Sequence, residues 1–193
     1  WDGWPEEPGQ AVTIPLGTTV VVTDADAAKV SAVCSLTLMP SAKLIFSNET
    51  AKVDLKATVV ARAAADVSFV RGAYVILEGD NSDYVGKTRV DATSTLIVSN
   101  RYGLGRANAT PAVVVENGGT LLFGGNGLTN DVPLDVYGDH SFQVDFTEGP
   151  FVQNAKIQIH SGAAVTFGDA ILNGPFANDG ASPSIRVKEG RTV

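Results

Sequence analysis

The chain holds a single cysteine, Cys34, and a single methionine, Met39. One cysteine excludes an internal disulfide, so stability must come from elsewhere. Aromatic residues make up only 7% of the sequence, which leaves few rings for a stacking surface. No stretch approaches the roughly 18 consecutive apolar residues of a membrane-spanning helix. Basic residues are outnumbered, 14 Lys and Arg against 21 Asp and Glu, for a net charge of −7. That balance argues against a nucleic-acid partner, which needs a basic face. With 44% hydrophobic and 18% charged residues over 193 positions, the composition is globular and long enough for a sizeable core. Glycine is abundant at 20 residues, and it favours turns and short strands over long helices. The acidic, cysteine-poor, glycine-rich composition fits an exported bacterial protein, and the start at Trp1 fits either a removed leader or a trimmed chain. The expected location is extracellular or at the cell surface.

One frame recurs along the chain. Ile157-Gln158-Ile159-His160-Ser161-Gly162-Ala163-Ala164-Val165-Thr166-Phe167-Gly168 superimposes on Val113-Val114-Val115-Glu116-Asn117-Gly118-Gly119-Thr120-Leu121-Leu122-Phe123-Gly124, with both glycines and the phenylalanine in step. Looser copies begin at Val12, Leu36 (Ser41 in the glycine slot), Val67, Leu96, Leu134 (Asp139 in the slot) and Ile185. The mean spacing is about 25 residues, in the range of solenoid repeats. Within each copy apolar residues alternate, as in strands. Each copy therefore predicts two short strands joined at a glycine corner, and segments such as Lys52–Lys56 supply a third.

This pattern predicts an all-β fold, a parallel β-solenoid in the form of a right-handed β-helix of about eight rungs with unequal loops. The alternative is an antiparallel β-sandwich, which would not require glycine and phenylalanine to recur in one frame. The expected inward ladders are Val12, Leu36, Val67, Val113, Leu134, Ile157, Ile185 and Val22, Phe46, Leu77, Phe123, Val144, Phe167. Residues 1–11, with Trp1, Trp4 and two prolines, read as a cap or tail. Residues 12–193 read as one domain, and the unfinished last copy suggests a piece of a longer chain, with further repeats or a partner at that edge.

The two glycine-phenylalanine segments at 118–124 and 162–168 resemble the passenger repeats of bacterial autotransporters and, more broadly, the pectin-lyase-like right-handed β-helix superfamily. The resemblance covers about residues 12–193. It implies export, surface display, and either adhesion or polysaccharide processing, with an extracellular glycan or a host or cell-surface protein as partner. It carries over no functional residue.

Searching the residues for chemistry gives weak candidates. The outward slot of the first strand places Asp135, Gln158 and Arg186 in one polar stripe. Asp135 and Asp145, with His140 between them in sequence, form the nearest carboxylate pair for glycosidic chemistry, and Arg186 would neutralise charge. A solvated outer face explains the same residues. Acid-dense stretches around Asp131–Glu148 and Glu78–Asp83 lack calcium-loop spacing. No cofactor or metal is expected. Alternation turns Cys34 inward as a small buried thiol. Val21, Ile45, Ile76 and Leu122 read as an outward apolar stripe that either marks a partner surface or is covered by loops 47–66 and 79–95. Asn48-Glu49-Thr50 and Asn108-Ala109-Thr110 match the glycosylation triplet, a pattern that also arises by chance. The expected role is a non-enzymatic module for adhesion or rigid spacing; the alternative is a carbohydrate-active β-helix protein.

Overall fold

The computed structural model describes residues 3–62, 64–106, 113–124, 128–137, 142–144, 151–160, 162–167, 170–179 and 184–187. The chain winds as a coil with three sides. It opens with β1 (Ala11–Ile14) and β2 (Thr19–Val22), and the helix α1 (Ala27–Ser31) closes the first turn. There follow β3 (Ser35–Leu38), β4 (Lys43–Phe46) and β5 (Val53–Leu55), then β6 (Thr58–Ala61), β7 (Asp66–Phe69) and β8 (Tyr74–Leu77). Next come β9 (Lys87–Val90) and β10 (Thr95–Val98), preceded by a single bridge between Ala61 and Tyr84. The second half holds β11 (Val113–Val115), β12 (Thr120–Phe123) and β13 (Thr129–Asn130), then β14 (Leu134–Val136), β15 (Phe142–Val144) and β16 (Phe151–Gln153). It finishes with β17 (Ile157–Ile159), β18 (Ala164–Phe167), β19 (Ala170–Leu172), β20 (Phe176–Asn178) and β21 (Ser184–Val187).

Every strand pairing is parallel and links one turn to the next. Side B stacks eight strands, in the order β2-β4-β7-β9-β11-β14-β17-β20. Side C stacks seven, β5-β8-β10-β12-β15-β18-β21. The remaining side is β1-β3-β6 in the first half and β13-β16-β19 in the second. The parallel β-solenoid expected from the repeat is therefore the fold, with eight levels on its longest side, and the sandwich alternative is excluded. The segment around Lys52–Lys56 does supply a strand, β5.

The ladders differ from those read off the sequence. Val12 and Leu36 stack on each other, but the next partner is Val59. Val67, Val113, Leu134 and Ile157 belong to side B, in a column that starts at Val20 and Leu44. Ile185 belongs to side C, opposite Val165. Likewise Val22 and Phe46 continue to Phe69 on side B, while Leu77, Phe123 and Val144 align on side C. A frame of two strands laid on a coil of three sides starts on a different side from copy to copy. The inward-or-outward assignment survives that slip because alternation has period two.

The corners explain the recurring small residues. Where the chain turns between β1 and β2 and between β3 and β4, Gly17 and Ser41 have φ of 65° and 58°. Ser41, in the glycine slot of its copy, takes the left-handed conformation that glycine adopts without cost. Thr93 does the same at the β9–β10 corner, with φ of 67°.

The interior is one apolar cluster from Trp4 to Ala170. Phe46 and Phe69 stack with centroids 5.1 Å apart and planes at 11°. Each such burial contributes about 1.5–3 kcal/mol before the cost of ordering the chain. Several polar side chains are buried with this cluster and tie neighbouring levels together. Asn81 accepts the Val59 N–H at 2.7 Å and donates to the Gly103 carbonyl at 2.8 Å, tying three levels of the coil. Asn48 is fully buried and donates to the carbonyls of Ala51 (2.6 Å) and Tyr74 (3.0 Å). Asn130 donates to Gln153 at 2.9 Å inside the last third.

Two further expectations are corrected. Segments 47–66 and 79–95 are not loops folded over the outside; they contain β5, β6 and β9 and belong to the wall. Cys34 is exposed. It sits at a bend between α1 and β3, with its N–H bonded to the Gln10 carbonyl at 3.1 Å, so strand alternation begins only at Ser35. No helix among the described residues is long and apolar enough to cross a membrane.

Candidate functional site

Chemistry-bearing side chains gather on side B, just beyond the second inward residue of successive strands. Asp91 follows β9, Glu116 follows β11, Tyr137 follows β14, His160 follows β17 and Asp179 follows β20. Their backbones stay in ladder register. The N–H of Glu116 bonds to the Val90 carbonyl (2.9 Å), that of Tyr137 to Val115 (2.8 Å) and that of His160 to Val136 (2.9 Å). One step past the second inward register position points each side chain outward, and the rungs repeat at about 4.8 Å. The result is a column, Asp91–Glu116–Tyr137–His160–Asp179, along one edge of the coil.

Arg89, on β9, ties the upper part together. Its Nε donates to Asp91 Oδ1 at 2.8 Å, and Nη2 lies 3.4 Å from Glu116 Oε1. Asp91, and then Glu116, strengthen its hold on its proton. Because Arg89 is half exposed, water screens the pair and its contribution to stability is small. Below it the Tyr137 and His160 rings stack face to face, with centroids 3.8 Å apart and planes at 5°. The His160 Nδ1–H donates to Asp179 Oδ2. Its Nε2 is occluded, with no hydrogen-bond partner among the described residues. Desolvation, followed by the charges of Asp135, Glu116 and Asp179, raises the Tyr137 pKa, so its phenol stays protonated at neutral pH.

The residues singled out in the sequence are only partly united. Asp135 and Gln158 are register partners on side B, one column inward from Tyr137 and His160. Arg186 is not on that stripe, because β21 belongs to side C and Arg186 opposes Thr166. Asp145 and His140 lie outside the described residues. The apolar stripe divides in two. Val21 and Ile45 are neighbours on side B. Ile76 and Leu122 flank Ile97 on side C. Val21 is 47% exposed, and the others are half-buried. Asp80 accepts the Ser82 N–H at 3.0 Å in a local turn. Among the described residues, no group of three or more His, Cys, Asp or Glu side chains converges as a metal site would.

The sequence reading missed the column itself. It noted His160 and Glu116 separately and never Tyr137. The available signal was the position after the second inward residue, which carries a charged or ring side chain in five successive side-B strands; aligning copies on glycine concealed it. Comparison with protein-family models, curated proteins and solved structures finds no match. What the column does must therefore be argued from this chain's own residues.

Proposed function

We propose that the chain is a non-enzymatic β-solenoid module of a bacterial cell-surface or secreted protein, serving as a rigid spacer and an adhesive face. The observation that carries this reading is the uninterrupted core. One apolar cluster runs from Trp4 to Ala170 under a wall of parallel strands, so each turn is braced by the next and the rod resists bending. The polar column on side B supports the adhesive part. Its groups are already paired with one another, which suits a preorganised contact surface for a glycan or another cell-surface protein. The resemblance to autotransporter passenger repeats agrees with export and display.

A second reading is a carbohydrate-active protein. It is favoured by one specific arrangement: Asp135 and Gln158 beside Tyr137, His160 and Asp179 on adjoining rungs. The histidine oriented by a carboxylate has the form of a general base, although its Nε2 is occluded. One experiment separates the two readings. The whole chain is incubated with a panel of neutral and acidic polysaccharides, and both retention and new chain ends are measured. The display reading expects retention without cleavage. Release of new chain ends, abolished by His160→Ala, overturns it in favour of the enzyme.

A further inference from the structure

The first strand of the coil leaves a usable edge. β1 pairs only with β3. The bond from the Met39 N–H to the Ile14 carbonyl, 3.0 Å, shows which backbone groups of β1 are spent on that pairing. Val12 and Ile14 face β3. Alternation then turns the N–H and C=O of Ala11 and Thr13 the other way, where no strand lies among the described residues. Edge strands are commonly blunted by charge or proline, and Ala11-Val12-Thr13-Ile14 has neither.

A groove follows this edge. It has a volume of about 480 Å³, with Trp4, Pro5 and Glu6 on one wall and Ala11, Thr13 and Pro15 on the other. The Trp4 wall is fixed. The indole is buried in the core, Glu6 is paired with Lys29 at 2.6 Å, and the Gly9 N–H bonds to the Ala32 carbonyl at 2.8 Å.

We propose that this groove is a strand-accepting site that takes an extended, uncharged peptide segment of a partner polypeptide, paired with the free edge of β1. Donors and acceptors alternating at every second residue match an extended backbone and little else. Trp4 gives the incoming strand an apolar wall for its inward side chains, as Leu36 and Leu38 are covered in β3. The cap argues against a second coil as occupant. Trp4 and its neighbours cover the core of the first turn, where the core of a stacked copy would have to sit, and they leave space beside β1 for one strand.

The test uses the whole chain and a fluorescent synthetic peptide of alternating threonine and valine, read by anisotropy and tryptophan emission. Saturable binding is expected. Thr13→Pro deletes a free-edge N–H while sparing the bonds to β3, a place where an edge strand tolerates proline. It should weaken binding at least about tenfold, through the lost bond and the ring on the edge. A peptide N-methylated at alternate residues, offered to the unaltered chain, should lose as much; this arm does not depend on the variant folding. Absence of saturable binding, or binding indifferent to both changes, overturns the proposal. So does concentration-dependent dimerisation of the chain that Thr13→Pro abolishes, since the occupant would then be a second copy.

Discussion

The side-B register makes a sharp prediction about which core aromatics feel each other. Phe46 and Phe69 are fully buried, stacked at 5.1 Å, and border a void of about 20 Å³ shared with Leu44, Leu55 and Tyr84. Phe46→Leu and Phe69→Leu should each cost about 1–2 kcal/mol, since the volume is nearly kept and the ring contacts are lost. Beyond burial, an aromatic pair contributes about 0.5–1.5 kcal/mol. The double variant should therefore cost less than the sum of the singles by about that amount. Phe123 belongs to side C, paired with Phe151 at 4.6 Å, and lies about three rungs, or roughly 14 Å, from Phe46. Phe46→Leu with Phe123→Leu should be additive within about 0.5 kcal/mol. Urea unfolding midpoints at constant slope read both cycles. If Phe46 and Phe69 prove additive, or if Phe46 couples to Phe123 instead, the stacking order given above is wrong.

Other expectations follow from single sites. Thr93 holds a left-handed backbone that costs a β-branched residue about 1 kcal/mol or more. Thr93→Gly should raise the melting temperature, with glycine's unfolded-state entropy limiting the gain to about 1 kcal/mol. Burial raises the Tyr84 pKa well above its ordinary 10. Its contribution is thus present below pH 10 and lost as pH climbs through the alkaline range; Tyr84→Phe should flatten that loss in a melting series while forfeiting the bond to the Lys87 carbonyl. Asp24 is shifted the other way, lowered from 3.8 by the N–H groups of Ala51 and Thr50. Its support is present above that value and disappears as pH falls below it, and Asp24→Asn should remove this acid step from the melting profile. Exposed Cys34 should react with a thiol reagent in the folded protein without denaturant, and Cys34→Ser should leave stability within about 0.5 kcal/mol.

What was legible in the sequence was whatever period two and backbone sterics write directly. Alternation marked nearly every strand, and the glycine slot found not only Gly17 and Gly118 but Ser41, a residue that takes the same conformation. Which side of the coil a strand occupies was not legible. That depends on how many residues each corner consumes, and the corners differ: the β3–β4 corner takes Met39–Ala42, whereas β4 and β5 are separated by residues 47–52. Arg186 was displaced from Asp135 and Gln158 for this reason. Cys34 was misplaced because a helix, α1, stands where a strand would have continued the alternation. The Tyr137–His160–Asp179 arrangement was invisible because its members are 23 and 19 residues apart and meet only when the turns stack.

The clamp made by Asn48 has a consequence for how the protein can be produced. Its amide nitrogen lies within the wall, committed to two carbonyls on adjacent levels, yet it heads an Asn-Glu-Thr triplet. In a eukaryotic secretory host, oligosaccharyltransferase meets the chain while it is still unfolded, and a sugar attached there could not be accommodated once the coil closed. Molecules so modified would stall before maturation, whereas production in a bacterial cytoplasm, or the change Thr50→Ala, would spare the amide, at the cost in the latter case of one hydroxyl bond to Asp24.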